Sequence, residues 1–362
     1  MKAFFSKRKN VALVILGALC VLINLISRSA SFVEIFYTNG IYPFISKGLR
    51  MSFAKIPFSL GDVLYTTFSL FILFRLFRFF RKLFTRKIDR QYLSKSAYTI
   101  LFTIFIGYFL FNILWGINYN REGISQQLQL SHTKTYTTKQ LNDLTKDLVV
   151  KANANRILLG EKINYPNDQT VFNEAVQSYK NVALQYPFLH YDVASIKVPV
   201  YNILGSYLGY TGYYNPFTGE AQVVTDVPKF SLPYVTCHEM AHQIGYATED
   251  EANFTGYLAA SNSFDPLFKY STYLDLYQYA NYELYFRDSA LAKKNYASLD
   301  TLVKSDLYEM RNFIKEHKNP AEKLLSALYN QYLKANKQPQ GIETYSEVTA
   351  WLIAYKNKYG KL

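Results

Sequence analysis

Three long apolar runs in the first 118 residues restrict this chain more than any other feature, because water-soluble folds rarely display such stretches. Val11 to Ile26 carries no charge and a single polar break at Asn24. Leu60 to Phe74 has one acid, Asp62, near its start, and Ala97 to Trp115 has no charge at all. A helix needs about 20 residues to cross the hydrocarbon core. With their flanks the runs predict three transmembrane helices over about 10–27, 59–80 and 97–117, with Arg75 and Arg78 snorkelling from the second. Alone, the first run also fits a cleaved signal peptide, and the two later spans favour a retained helix.

Composition enters through charge. The formal net charge is +13, which invites a nucleic-acid reading. Residues 1–118, however, hold 16 Lys and Arg against three acids (Glu34, Asp62, Asp89), while the remaining 244 residues hold 24 of each sign. The excess therefore belongs to the apolar third, and no nucleic-acid partner is expected. Basic residues gather at the tip (Lys2, Lys7, Arg8, Lys9) and between Arg75 and Lys95, and are sparse in the 28–58 connection, which reads as a loop. Cytoplasmic segments collect Lys and Arg. The expected topology has a cytoplasmic N-terminus and an extracytoplasmic region, periplasmic or cell-surface, after the third span.

The expected division is a membrane anchor over 1–118 and a soluble domain over 119–362. A 49% hydrophobic content excludes a disordered chain, and two cysteines exclude a disulfide-built scaffold. Cys20 lies in the first span and Cys237 far beyond it, so they are not expected to pair. Apolar spacing predicts helices over 139–156 and 169–184. Asn215 to Gly219 is turn chemistry and Ala221 to Thr225 a β segment, which together predict a hairpin. Helical spacing returns from Phe254 onward. The fold class is three transmembrane helices followed by a mostly α-helical α+β domain with a small sheet or hairpin.

The chemistry concentrates in His238-Glu239-Met240-Ala241-His242, an H-E-x-x-H pattern. Residues four apart share a helix face, so both imidazoles can reach one metal ion, and Glu239 lies beside it as a general base. Ser231 is the expected N-cap of this helix, Pro233 suits its first turn and Gly245 its end. Catalytic zinc wants three protein ligands. Glu249 is the favoured third ligand, with Glu251 and Asp250 as alternatives. Thr248-x-x-Glu251 also reads as a capping box, which gives Glu251 a structural role. Asn253, four residues after Glu249, is expected to orient a ligand histidine. Tyr213, Tyr214, Tyr257, Arg287 and His317 are open candidates for stabilising an oxyanion. His132 and His190 read as surface or core histidines.

Glu249-x-x-Ala252-Asn253 resembles the segment that follows H-E-x-x-H in gluzincin metallopeptidases, including membrane-bound enzymes of the Ste24/HtpX type. The resemblance implies Glu249 as the third zinc ligand. A closer similarity is to an uncharacterised bacterial family of three-pass membrane proteins with an extracytoplasmic zincin-like domain. It rests on Trp115-Gly116-x-Asn118-Tyr119-x-Arg121, on Tyr214 to Ala221, and on His238 to Gln243 with Glu249 to Phe254.

The expected function is a membrane-anchored metallopeptidase with one Zn2+ per chain, acting on a peptide or protein at the outer face of the cytoplasmic membrane. Ala221 to Thr225 is expected to be an edge strand for an extended substrate, with Ala221, Val223 and Tyr214 as binding residues. A catalytically idle envelope scaffold and an amide hydrolase acting on a cell-wall peptide are the alternatives.

Overall fold

A computed structural model of the chain describes residues 7–130 and 135–362. His132 lies outside the described residues. Among the described residues three helices are long and apolar enough to cross a membrane. The first is α1 (Lys7–Ile26). The other two come after the short helix α2 (Ala30–Phe32), a π-helix over Val33–Ile41 and helix α3 (Tyr42–Phe53): they are α4 (Leu60–Phe84) and α5 (Arg90–Leu114). Side-chain caps start both, the Ser59 hydroxyl accepting from the Asp62 N–H and the Asp89 carboxylate from the Tyr92 N–H. α1 and α5 run parallel, Tyr98 reaching the Lys9 carbonyl and Cys20 the Phe105 carbonyl. Their C-terminal ends, and the start of α4, meet the rest of the protein. The basic residues between Arg75 and Lys95 lie at the opposite end.

Residues 28–58, expected as a loop, are therefore mostly helical. Local pattern did not reveal this because the segment is ordered by distant partners. Glu34 takes a two-point ion pair from Arg121, with nitrogen–oxygen distances of 3.1 and 3.0 Å. The Tyr37 hydroxyl donates to the carbonyls of Asn112 and Ile113. Val33, Tyr37 and Tyr42 join Trp115, Tyr119, Tyr214 and Ala247 in one buried cluster. This core crosses the boundary expected at residue 118, so the segment between the first two long helices packs as part of the downstream region.

Downstream come α6 (Ile124–Gln127), α7 (Thr138–Leu158), α8 (Asp168–Ala183), α9 (Asn202–Leu208), α10 (Leu232–Gln243) and α11 (Glu249–Ser261). They are followed by α12 (Pro266–Arg287), α13 (Ser289–Ala297), α14 (Thr301–His317), α15 (Pro320–Ala335) and α16 (Val348–Tyr359). Helices α7 and α8 match the apolar spacing closely, and Thr137 and Gln140 form a capping box at the start of α7. Cys20 and Cys237 are both free, and Cys237 is fully buried. His190 is exposed.

The small sheet has three strands, β1 (Ile196–Lys197), β2 (Gly212–Asn215) and β3 (Glu220–Val223), in the order β1-β3-β2. The hairpin β2–β3 matches expectation, but its second strand is not an edge. β1 pairs with β3 in parallel through Ile196↔Ala221 and Lys197↔Gln222. Ala221 and Val223 are wholly buried, so they do not line a substrate groove. A two-residue partner strand leaves no alternating pattern to read. The edge on the hairpin side is β2.

Glu220 fastens this sheet to α4. Its carboxylate accepts the N–H groups of Leu60 (3.2 Å) and Gly61 (2.7 Å), the Thr218 hydroxyl and the Gln222 amide, and pairs with buried Lys197. An anion at a helix N-terminus meets unpaired N–H donors and the positive end of the dipole. Removing one member of such a buried pair costs about 3–5 kcal/mol.

Candidate metal centre

Helix α10 is buried around almost its whole circumference, which explains why it shows no amphipathic stripe. Its polar side chains must therefore find partners inside the protein. Ser231 stands at its N-cap position without a side-chain cap, its hydroxyl donating instead to the Pro228 carbonyl. At the other end Gly245 adopts φ +94°, a left-handed turn that lets the chain reverse tightly into α11. The N–H groups of Gly245 and Tyr246 bond back to the carbonyls of His242 and Ala241.

That turn brings Glu249 over the two histidines. His238 Nε2 and His242 Nε2 are 3.2 Å apart, and Glu249 Oε2 lies 3.2 Å from the first and 3.5 Å from the second. All three residues are buried, and among the described residues this is the group of three ligating side chains that could hold a metal ion. The other ring nitrogen of His242 sits 2.7 Å from the Tyr246 carbonyl. A carbonyl there fixes a proton on Nδ1, so Nε2 is the nitrogen that loses its proton to bind a metal ion in the cluster. Asn253 hydrogen-bonds His238 and donates to the Tyr345 carbonyl.

The charges are interlocked. Burial opposes ionisation of Glu249, but the flanking histidines outweigh it and hold the carboxyl well below its usual range. Burial likewise disfavours a charged His242, yet Glu249 and Glu239 raise its pKa to about 9. Burial dominates at His238, whose pKa is lowered. It also dominates at Glu239, pushed up to about 8. Glu239 Oε2 is buried with no hydrogen-bond partner, an acceptor kept available next to the cluster.

The two other acids point away. Asp250 accepts from the Trp351 indole at 3.0 Å. Glu251 accepts the Ile124 N–H at 2.8 Å, and burial raises its pKa to about 7 despite nearby Arg121. The expected capping box is absent: Thr248 makes no side-chain cap, and the Glu249 N–H goes to Gln338 Oε1 at 3.0 Å. The side chain that caps an N–H at the start of α11 thus comes from 89 positions away and not from Thr248.

None of the tyrosine, arginine or histidine candidates for an oxyanion has a free group at the cluster. The Tyr213 hydroxyl is bonded to Asp62, and Tyr214 packs on Trp115 with its hydroxyl facing Tyr42. Tyr257 is in the apolar core, Arg287 pairs with Glu283, and His317 stacks on Phe313. The residues that do surround the cluster come from elsewhere. The Tyr329 hydroxyl donates to Glu249 Oε1 at 2.6 Å, and the Tyr345 ring lies parallel to His238 at 6.2 Å. Trp115 donates its indole N–H to the His242 carbonyl at 3.1 Å, while Tyr42 and Ser46 donate to the Gln243 carbonyl at 2.9 and 2.6 Å. These bonds satisfy C-terminal carbonyls that a helix leaves unpaired. With 33 tyrosines in the chain, no sequence signal separates Tyr329 from the rest.

β2 passes directly beside Glu239. A Cβ on Gly212 would stand 2.5 Å from Glu239 Oε1 and 2.8 Å from the Gln222 carbonyl oxygen, so only glycine fits.

No curated protein and no solved structure matches the chain. A family model described as a protein of unknown function, DUF3810, matches residues 37–353. The match begins within the π-helix, runs through the sheet and the helix pair bearing the cluster, and ends in α16. The chain thus belongs to the DUF3810 family of proteins of unknown function.

Proposed function

We propose that the protein is a membrane-anchored zinc peptidase with a zincin-like catalytic region over 119–362, acting on peptides at the extracytoplasmic face. The triangle formed by His238, His242 and Glu249 carries this reading. Ligand atoms about 2.0–2.1 Å from a tetrahedral zinc stand about 3.3 Å from one another. The three separations here, 3.2, 3.2 and 3.5 Å, fit that ion without rearrangement. Two neutral imidazoles and one carboxylate are also a donor set that suits zinc and leaves a fourth position open.

A zinc ion held there would supply Lewis acidity toward a water and a scissile carbonyl. The remaining work falls to the protein. Glu239, with its unpartnered oxygen, takes the proton of the attacking water and returns it to the leaving nitrogen. Its raised pKa suits both directions of that transfer near neutral pH. Tyr246 and Asn253 hold the imidazoles in orientation, and Tyr329 holds Glu249. The edge strand β2, beside Glu239, offers main-chain groups to an extended substrate. The Lys and Arg distribution supports a cytoplasmic N-terminus and an extracytoplasmic site.

The full chain, purified in lipid nanodiscs, provides the test. It should contain one zinc per chain and cleave members of a peptide library. Glu239→Gln should keep the zinc and abolish cleavage. A zinc-free parent would refute the metal assignment, and a zinc-loaded parent that cleaves nothing would leave a binding role in place of catalysis.

A further inference from the structure

Residues 198–219 contain no charged side chain and include five tyrosines, and the apolar side chains in and just before α9 are turned outward. Val200, Tyr201, Ile203, Leu204 and Tyr207 are 44–64% exposed, an unusual display for a stretch that no charge solubilises. Ile203, Leu204 and Tyr207 fall on one side of the short helix α9. Next to it on α15, Leu324 and Leu328 are 65% and 59% exposed, with Asn319 at the start of that helix donating to the Tyr207 carbonyl.

The position of this patch identifies what covers it. The Tyr201 hydroxyl is 2.9 Å from Thr66 Oγ1, and Thr66 is six residues along the apolar helix α4. At 1.5 Å per residue the contact lies about 9 Å down that helix from Leu60. Around it Val63, Leu64 and Phe68 are themselves exposed, as a lipid-facing surface requires. Asp62 accepts the Val200 N–H at 2.7 Å and so pins the same segment to the mouth of α4. Tyrosine-rich, uncharged surface at that depth has the chemistry of the interfacial belt. Tyr282 and Phe286, exposed still further at the far end of α12, have no such tie to a long apolar helix among the described residues.

We infer that α9, with its flanking Val200 and Tyr201 and the adjoining face of α15, dips into the lipid leaflet as a fourth membrane contact that crosses nothing. The occupant of this surface is the bilayer itself. The inference rests on α4 spanning the membrane and is independent of catalysis. Because α9 leads within four residues into β2, it also keeps the strand beside Glu239 close to the lipid surface.

Site-directed spin labelling of the full chain in nanodiscs tests this. In a Cys20→Ser background, with Cys237 too buried to react, labels are placed singly through Ile203→Cys, Leu204→Cys and Tyr207→Cys. Leu73→Cys on α4 and Phe286→Cys on α12 serve as lipid and water references. Labels at 203 and 204 should collide with dissolved oxygen several-fold more than with a water-soluble paramagnetic chelate, as at 73. Chelate access equal to that at 286 would overturn the inference. Protection from both reagents would also overturn it, because protein would then be the cover. Chelate access at 73 would instead refute the span on which the inference depends.

Discussion

Trp115, the residue that ends α5, donates its indole N–H to the main-chain carbonyl of His242, 127 residues later in the chain, at 3.1 Å. The end of an apolar helix is thereby bonded to a member of the His238–His242–Glu249 cluster, and the two rings meet edge to face at 6.0 Å. Trp115→Phe keeps the ring contact and removes the donor. The His242 carbonyl retains the Gly245 N–H, so the expected loss is about 1 kcal/mol, the net worth of one hydrogen bond. Chemical denaturation of the full chain in detergent measures it. Adding Tyr42→Phe, which strips the Gln243 carbonyl of one donor, should make the loss larger than either single change.

The choice among the three acids is open to direct measurement. Glu249→Gln should lose bound zinc, whereas Glu251→Gln and Asp250→Asn should keep it, with metal content by mass spectrometry as the readout. Zinc lost only from the Glu251 variant would reassign the ligand.

Tyr329→Phe removes the hydroxyl that donates to Glu249 Oε1. Groups that orient a metal ligand are worth about 10–100-fold in affinity. The variant should therefore bind zinc about tenfold more weakly in competition with a fluorescent chelator, while the helices stay intact by circular dichroism.

Gly212→Ala tests the edge strand. The added methyl meets Glu239 and the backbone of β3, so it should displace the carboxylate without touching the ligands. Zinc content should stay at the parent level. Displacement by about 1 Å costs on the order of 100-fold in rate, so peptide cleavage should fall by that factor.

The pKa directions fix the pH dependence of metal binding. Without metal, His242 keeps its proton up to about pH 9, Glu249 is already ionised and His238 is already neutral near pH 7. Zinc must therefore expel the His242 proton at neutral pH, and Glu239, raised to about 8, is a second proton that the ion favours releasing. Affinity should fall about tenfold per pH unit as pH drops below about 9. Calorimetry at pH 7 in buffers of different ionisation enthalpy should report between one and two protons released per ion bound, and no release would refute the assignment.

The meeting of His238, His242 and Glu249 could be anticipated because the three are close in sequence and a helix plus one glycine turn dictates it. The long apolar helices and the hairpin were legible for the same reason, each having a local period. What escaped were contacts across 80 to 200 residues. Tyr329 on Glu249, Gln338 on the start of α11, and Tyr42 and Ser46 on the end of α10 belong to no pattern readable along the chain. Ala221 and Val223 were assigned to an edge because their covering strand, Ile196–Lys197, is too short to announce itself.

The seat of α10 also has a consequence in time. Tyr42 and Ser46 leave the ribosome about 200 residues before the carbonyl they bind, a delay of about 10–40 s at ordinary synthesis rates. They lie between the first two long apolar helices, so on the proposed three-span topology membrane insertion would deliver them first. On that topology the H-E-x-x-H helix would arrive later, on the same side of the bilayer as these two residues. The side chains that close the end of this helix are thus synthesised well before the helix itself, and its last turn is finished by residues that have waited for it.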